Sequence, residues 1–205
     1  MTDNIINKEK FNNMLLSENA GEQIVNNLDR LLEIIPEMRP MIGFEQNSPW
    51  HDFDVFTHTI KSIDNAPPYL ILRLTLFFHD FGKPHRYVES EDGVGHFYGH
   101  PKVSADIAGD VLTRMGYDES LIEVIKQLII GHDSTIKPSK RILRRMLKKL
   151  GEERTRQLIN IVKADKMAQT QEVTPELEQK YADCIKLLDE IGNERRLSIS
   201  ERFSG

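Results

Sequence analysis

The sequence predicts an all-α fold, a helical bundle with one short β-hairpin or ordered loop near residues 86–99. Apolar residues recur at three- and four-residue intervals along most of the chain, which is the spacing of one helix face. Prolines stand between these segments, where they end or begin helices. Only the segment 86–99 differs, because aromatic residues and valines flank Asp92-Gly93, a hairpin turn signal.

Nine helices are predicted in chain order: 8–17, 21–35, 53–64, Pro67-Pro68 to about His79, 101–115, 119–130, 139–149, 151–169 and 174–190. Pro36 and Pro40 end the second helix. Pro67 and Pro68 are expected inside the first turn of the fourth helix, where a missing N–H costs no helical bond. The polar tail from residue 193 is expected to fray.

The composition describes an ordinary soluble domain. The length of 205 residues suits one domain, and the net charge of −5 gives no general reason to expect binding to nucleic acid or anionic membrane. The single cysteine excludes an internal disulfide and suits a reducing cytosol. There is no secretion signal and no apolar stretch long enough to span a membrane. We therefore expect a cytoplasmic protein without a membrane segment.

Histidines and aspartates recur within or beside the apolar segments. They come from five separate elements, and they are His58, His79, Asp80, His100, His132 and Asp165. Polar groups without partners are costly in a protein interior, and one shared cation would compensate all of them. Neutral imidazole and carboxylate groups are ligands for Mn, Fe, Co, Ni or Zn, and carboxylate oxygen also suits Mg.

Simpler interpretations exist for single residues of this kind. A lone histidine is more often a hydrogen-bonded structural residue than a ligand, and three are interpreted in this way: His51, His85 and His96. The His79-Asp80 pair alone is also consistent with a helix C-terminus that has Gly82 as its left-handed cap. Asp54 stands four residues before His58 and is interpreted as a solvated first-turn acid, with a ligand or a partner of His58 as the alternative.

The ordered series resembles the HD superfamily of metal-dependent phosphohydrolases, and more closely the HD region of bacterial tRNA nucleotidyltransferases. The resemblance is carried by MIGFEQNSPWHDFDVFTHT, LRLTLFFHDFGKP, GVGHFYGHPKVSA and IVKADKMAQ. It implies a first metal site with four ligands: His58, His79, Asp80 and Asp165. It also implies that His100 and His132 belong to a second site where the family member is binuclear, with Asp80 as the bridge.

The resemblance also implies a domain organisation. Residues 51–170 are expected to form the HD core, residues 1–50 to add helices that pack on it, and residues 171–205 to form a C-terminal helix and tail. The nucleotidyltransferases carry a polymerase head with a Gly-Ser pair and a D-x-D carboxylate pair. Asp52-Phe53-Asp54 lacks both the Gly-Ser pair and a strand pattern. CCA addition is therefore not expected of this chain, and the hydrolase module alone remains.

The implied activity is hydrolysis of nucleotide or RNA-end phosphates, with 2′,3′-cyclic and 2′-phosphates favoured, by one or two divalent ions (Mn, Ni, Co, Fe, Zn or Mg). The candidate catalytic residues are Asp80, Lys83 and His132. The candidate substrate contacts are Lys83, Asp133, Arg144 and Arg145. Lys83 is equally consistent with compensation of a helix dipole at the C-terminus.

The segment 137–150, KPSKRILRRMLKKL, mixes basic and apolar residues at helical spacing. Its apolar residues predict a core face, and its charges are those of an ordinary solvated face. The alternative is a ridge that faces phosphate or RNA beside the site.

Two other functions fit the same residues. One is a regulatory or RNA-binding module that keeps the fold without catalysis, although a degenerate module tends to lose ligands and this chain keeps the whole series. The other is a metal-dependent oxygenase on a related helical fold. Metal identity and oxygen consumption distinguish the oxygenase from the hydrolase.

Overall fold

The computed structural model describes residues 7–203, without the side chains of residue 195 and residues 197–203. This part of the chain contains nine α-helices and two 3₁₀ helices, at Pro36–Met41 and Lys83–His85. The α-helices are α1 (Lys8–Leu16), α2 (Ala20–Asn26), α3 (Leu28–Ile34), α4 (Val55–Asp64), α5 (Leu70–Phe78), α6 (His100–Arg114), α7 (Glu119–Gly131), α8 (Lys140–Met167) and α9 (Pro175–Phe203). The prediction of a helical bundle is confirmed.

The predicted hairpin is also present. Strands β1 (Val88–Glu89) and β2 (Gly95–His96) pair antiparallel, with Val88 opposite His96. The Ser90 N–H donates to the Val94 carbonyl at 2.9 Å, and Gly93 takes a φ of 79° in the turn between the strands. Glycine adopts this left-handed conformation without the steric cost that a side chain would add.

Four helix boundaries differ from the prediction or refine it. The helix expected over 21–35 is divided at Asn27, which caps both α2 and α3. Helix α5 begins only at Leu70, because Tyr69 is extended after the two prolines. The break expected between 149 and 151 lies at Gly151, whose φ of 77° and ψ of 174° interrupt α8. The sequence predicts that the last helix ends at residue 190 and that a frayed tail follows from residue 193, but α9 continues to Phe203.

Helix α5 is the centre of the bundle and contacts α1, α4, α6, α7 and α8. Every residue from Leu72 to Phe78 is buried, as expected of a helix that is apolar on nearly all sides. Arg73 is the charged exception, and its guanidinium donates to the carbonyls of Leu15, Ser17 and Ala66. The C-terminal end of α5 therefore delivers its next residues, His79 and Asp80, to the interior.

Contacts between the other helices complete this part of the bundle. Helix α4 packs on α5 and α8, α6 packs on α7, and α8 packs on α9. Helix α4 begins at its N-cap Asp54, which accepts hydrogen bonds from the N–H groups of Phe56 and Thr57 at 2.9 and 3.1 Å. Asp54 is therefore a helix cap rather than a solvated first-turn acid. Among the described helices, none combines the length and apolar character needed to cross a membrane.

Candidate metal centre

The His79-Asp80 pair directly follows the last residue of α5, and both side chains are fully buried. Gly82 has an ordinary right-handed φ of −78°, so the expectation of a left-handed cap is wrong. Glycine is required there because the backbone of α6 approaches it closely. A Cβ on Gly82 would stand 2.4 Å from the His100 carbonyl oxygen, and its N–H donates to Ser104 Oγ at 2.8 Å. This contact brings the start of α6 against Asp80.

Four buried imidazoles share one orientation. In each, Nδ1 contacts a backbone carbonyl oxygen at 2.6–3.1 Å, and the pairs are His58 with Ala168, His79 with Leu76, His100 with Phe97 and His132 with Ile129. A carbonyl oxygen only accepts hydrogen bonds, so Nδ1 carries the hydrogen in each ring. In its neutral form each ring then presents the lone pair of Nε2. All four Nε2 atoms point toward Asp80 or Asp165, as metal-binding histidines do.

The first group of these atoms comes from α4, α5 and α8. His58 Nε2 lies 3.0 Å from Asp165 Oδ1 and 3.3 Å from His79 Nε2. Asp80 Oδ2 lies 3.4 Å from His58 Nε2 and 3.2 Å from His79 Nε2. Ligand atoms about 2.1 Å from one shared ion stand roughly 3.0–3.4 Å apart at octahedral or tetrahedral angles. The spacing of this group therefore suits one divalent cation.

The second group lies on the other oxygen of the same carboxylate. Asp80 Oδ1 is 3.1 Å from His100 Nε2 and 3.7 Å from His132 Nε2, and the two Nε2 atoms are 3.3 Å apart. Burial lowers the pKa of His132, in spite of the opposing effect of Asp80, so its Nε2 lone pair is available. Two facing lone pairs repel unless a cation or a proton lies between them.

The electrostatics of the centre also demand positive charge. Neither oxygen of Asp80 accepts a hydrogen bond of ordinary geometry from the described residues. Burial opposes ionisation of Asp80 and Asp165, but neighbouring histidines and lysines outweigh it and hold both pKa values well below their usual range. Burial likewise opposes protonation of His79, yet Asp80 and Asp165 raise its pKa to about 10. The residues present therefore fit a divalent cation, which would replace that proton.

Lys83 lies inside this centre. Its side chain is buried, its Nζ is 2.7 Å from Asp80 Oδ2, and it donates a hydrogen bond to Gln46 Oε1 at 2.7 Å. It also stands 5.4 Å from the centre of the Phe97 ring. Both interpretations of Lys83 stay predictions, and the observed contact is the ion pair with Asp80.

A cavity of about 450 Å³ opens above the two groups. Asp80, Lys83, His100, His132 and Asp165 line its floor. Its rim is formed by residues that the sequence did not single out as functional, namely Ser48, Trp50, His51, His96, Tyr98 and Gln169. These residues come from loops and from the hairpin, where no periodic pattern marks the residues that face a cavity.

His51 and His96 meet different surroundings. His51 is held between Ser48 Oγ and Gln169 Nε2, each at 3.3 Å, and burial followed by the charge of Lys83 lowers its pKa to about 3. His51 is therefore a neutral hydrogen-bonded residue, as expected, but one that faces the cavity. His96 stacks on Tyr98 with ring centroids 5.4 Å apart.

The other candidate residues lie farther from Asp80. Asp133 is exposed and lines the same cavity. Arg144 does not line it, and forms a 3.0 Å ion pair with Glu194. Arg145 lines a second cavity of about 380 Å³, together with residues of α7 and α8. The predicted site residues are therefore brought together except for these two arginines.

The fold and this centre define a class: a helical bundle that holds a buried histidine and aspartate cluster able to bind divalent metal ions. The family model described as "HD domain" matches residues 57–193. The chain belongs to the HD domain family, and the resemblance to that family is confirmed.

Two relatives resemble parts of the chain. A CC-adding tRNA nucleotidyltransferase of Thermus thermophilus is 28% identical over 171 residues, which are 78% of this chain and 38% of that enzyme. An A-adding tRNA nucleotidyltransferase of Deinococcus radiodurans is 29% identical over 104 residues, which are 48% of this chain and 24% of that enzyme. The chain thus spans well under half the length of either relative, and the match covers only the HD region of these longer enzymes.

Proposed function

We propose that this protein is a metal-dependent phosphohydrolase that acts on nucleotide or RNA-end phosphates. The observation that carries the proposal is the carboxylate of Asp80, whose two oxygens face separate groups of histidine Nε2 atoms at the floor of an open cavity. Divalent ions bound there supply Lewis acidity toward a phosphoryl oxygen and toward water. Membership of the HD domain family supports hydrolysis, and the tRNA enzymes among the relatives support a nucleotide or RNA substrate.

Each residue of the site would have a separate role in the reaction. Asp80 positions both groups of ligands, and Lys83 places a positive charge 2.7 Å from it, where it can bind a non-bridging oxygen of the phosphate. Asp133, which lines the cavity, or His132, if that histidine is not a ligand, would exchange a proton with the leaving group. The buried walls of α5 hold these groups in fixed positions.

The test is a substrate panel with the full chain. The protein loaded with Mn, Ni or Co is expected to hydrolyse adenosine 2′,3′-cyclic phosphate or adenosine 2′-phosphate, and a chelator should abolish the activity. Asp80→Asn should lose at least about a hundredfold in kcat, whereas the exposed His85→Asn should keep it. A folded, metal-loaded sample that turns over no phosphate ester contradicts the proposal and favours the binding module. Oxygen consumption without phosphate release would favour the oxygenase.

A further inference from the structure

The rim of the metal cavity carries two large aromatic side chains that are exposed to solvent. Among the described residues, the exposed large hydrophobic side chains include three aromatic ones, and two of these, Trp50 and Tyr98, line this one cavity. Trp50 is 61% exposed and Tyr98 is 72% exposed. Exposed aromatic surface at the edge of a cavity indicates a place where a ligand covers it.

The two rings come from separate segments of the chain. Trp50 lies in the loop that precedes α4, and Tyr98 follows strand β2 of the hairpin. Tyr98 is held by His96, whose ring is nearly parallel to it at 10° with centroids 5.4 Å apart. Tyr98 lies in the turn after the strand, so this ring contact, rather than strand geometry, sets its position. The hairpin therefore presents the Tyr98 ring in a defined orientation before any ligand arrives.

The floor of the cavity sets what else the ligand carries. Lys83 and Lys166 line the cavity together with three aspartates, Asp80, Asp133 and Asp165. The divalent ions of the proposed function would add the positive charge that an anionic group needs there. A ligand that fits both parts needs an anionic group at one end and a flat aromatic group at the other. A nucleoside phosphate has both, and its base can stack on an aromatic ring whatever its hydrogen-bonding edge, since every base has a π-face.

We propose that Trp50 and Tyr98 form a nucleobase-stacking site, so that the substrate is a nucleoside phosphate whose base covers these rings while its phosphate reaches Lys83. This inference rests on the proposed function and specifies the substrate class of the same site. It makes a base-free sugar phosphate a poor substrate. It also predicts that purines bind more tightly than pyrimidines, because their larger rings stack over more area.

The chain contains a single tryptophan, so its fluorescence reports on Trp50 alone. The metal-loaded protein is titrated with adenosine 2′-phosphate, uridine 2′-phosphate and, as the base-free probe, ribose 5-phosphate. Saturable quenching by both nucleotides, with adenosine tighter and ribose 5-phosphate without effect, is expected. No change with the nucleotides, or equal quenching by ribose 5-phosphate, overturns the proposal. This titration needs no turnover, so its outcome is distinct from a failure of the proposed hydrolysis.

Kinetics provide the second readout. Trp50→Ala and Tyr98→Ala should each lower the ratio of kcat/KM for adenosine 2′-phosphate to kcat/KM for ribose 5-phosphate by about tenfold, and Trp50→Phe should restore most of it. Tyr69→Ala is the matched control, because Tyr69 is 68% exposed and does not line this cavity. An unchanged ratio in both alanine variants, while the wild type hydrolyses nucleotides, overturns the stacking site and leaves the hydrolase.

A third experiment tests whether the stacked base belongs to a free nucleotide or to the end of an RNA chain. A short RNA that ends in a 2′-phosphate is compared with adenosine 2′-phosphate in the fluorescence titration. Binding at least tenfold tighter for the RNA supports stacking of a terminal base of a chain, and equal binding supports stacking of a free nucleotide. Quenching by neither ligand overturns the proposal.

Discussion

Asp80 faces two histidine pairs with different oxygens, and this division has a measurable consequence. If both groups bind an ion, Asp80→Ala should empty both positions, because among the described residues this is the carboxylate that both groups share. His100→Ala or His132→Ala should remove mainly the second ion, since the first group keeps its own ligands. Elemental analysis of wild type and the three variants measures this, and His85→Ala is the control with an exposed imidazole.

A single equivalent in the wild type, unchanged in His100→Ala and His132→Ala, would contradict the binuclear arrangement. The two histidines would then contact substrate or carry protons. Asp80→Ala would still leave Lys83 buried without its ion-pair partner, and that loss destabilises the fold independently of metal.

Gly82 controls the distance between Asp80 and His100. Gly82→Ala should destabilise the fold by about 1–3 kcal/mol, because its Cβ would meet the His100 carbonyl at 2.4 Å and the backbone must shift. The shift separates His100 from Asp80, so metal content should fall toward one equivalent. Gly109→Ala in α6 is the control, since its Cβ would meet only the flexible Lys126 side chain at 3.3 Å or more. Chemical denaturation and elemental analysis would refute this if both variants behaved like wild type.

The site residues that could be predicted from the sequence are those that lie within or beside buried apolar segments. His58 and Asp165 stand out because an ionisable side chain is rarely tolerated inside an apolar helix without a partner. The role of Gly82 could not be predicted, because it depends on the approach of α6, which begins 18 residues later. Trp50 and Tyr98 could not be predicted either, because a loop residue gives no periodic signal of the face that it presents.

Helix boundaries, like site residues, could be predicted where local sequence determines them and not where contacts distant in sequence do. The predicted end of the last helix falls too early because residues after 190 lose the apolar pattern. Glu194 explains part of the extension of α9, since it pairs with Lys140 at 2.7 Å and with Arg144 at 3.0 Å. Ion pairs between helices distant in sequence cannot be read from local periodicity. The assignment of residues 1–50 and 171–205 as additions to an HD core stays a prediction.

The basic ridge of α8 presents two faces with different surroundings. Lys140 and Arg144 are paired with Glu194, whereas Arg145 and Lys149 line the cavity of about 380 Å³, whose described lining residues include no acid. Arg145→Gln with Lys149→Gln should therefore weaken binding to single-stranded RNA and lower the salt slope by about 1.4, at about 0.7 for each phosphate that is no longer neutralised. Fluorescence anisotropy between roughly 50 and 300 mM salt measures this slope.

The matched control for the ridge is Lys140→Gln with Arg144→Gln, which removes the same charge from the face that Glu194 already neutralises. It should change the slope much less than the variant of the cavity face. Equal slopes in wild type and both variants would make the ridge an ordinary solvated surface.

Across the whole molecule, the centre couples stability to pH in opposite directions with and without metal. The pKa of His79 rises from 6.5 to about 10 in the fold, so the stabilisation from its proton is present below pH 6.5 and is lost as pH rises toward 10. Asp80 and Asp165 do not add to this slope, because their pKa values lie well below the window. His51 and His132, whose pKa values are lowered in the fold, give the opposite slope until the unfolded chain loses those protons at about pH 7.5. The metal-free protein should therefore lose thermal stability between about pH 7.5 and 10.

The metal-loaded protein should show the reverse trend, because protons compete with metal for the same Nε2 atoms. Thermal unfolding with a chelator and with excess Mn across this range gives both curves, and the gap between their Tm values should widen with pH. His85→Asn should reproduce both curves. A metal-free Tm that is flat or rises through this window would exclude His79 as the residue that holds the proton.

Three of the four imidazoles are aligned by a carbonyl only three residues earlier in their own segment, Leu76 for His79, Phe97 for His100 and Ile129 for His132. Two of these histidines stand just past the end of a helix. The orientation of each of these three rings is thus set by a hydrogen bond within one turn of its own backbone. The same turn could be transferred to helix ends in an unrelated bundle, where it would present Nε2 in the same direction. A designed metal site would then need only a carboxylate placed between the histidines.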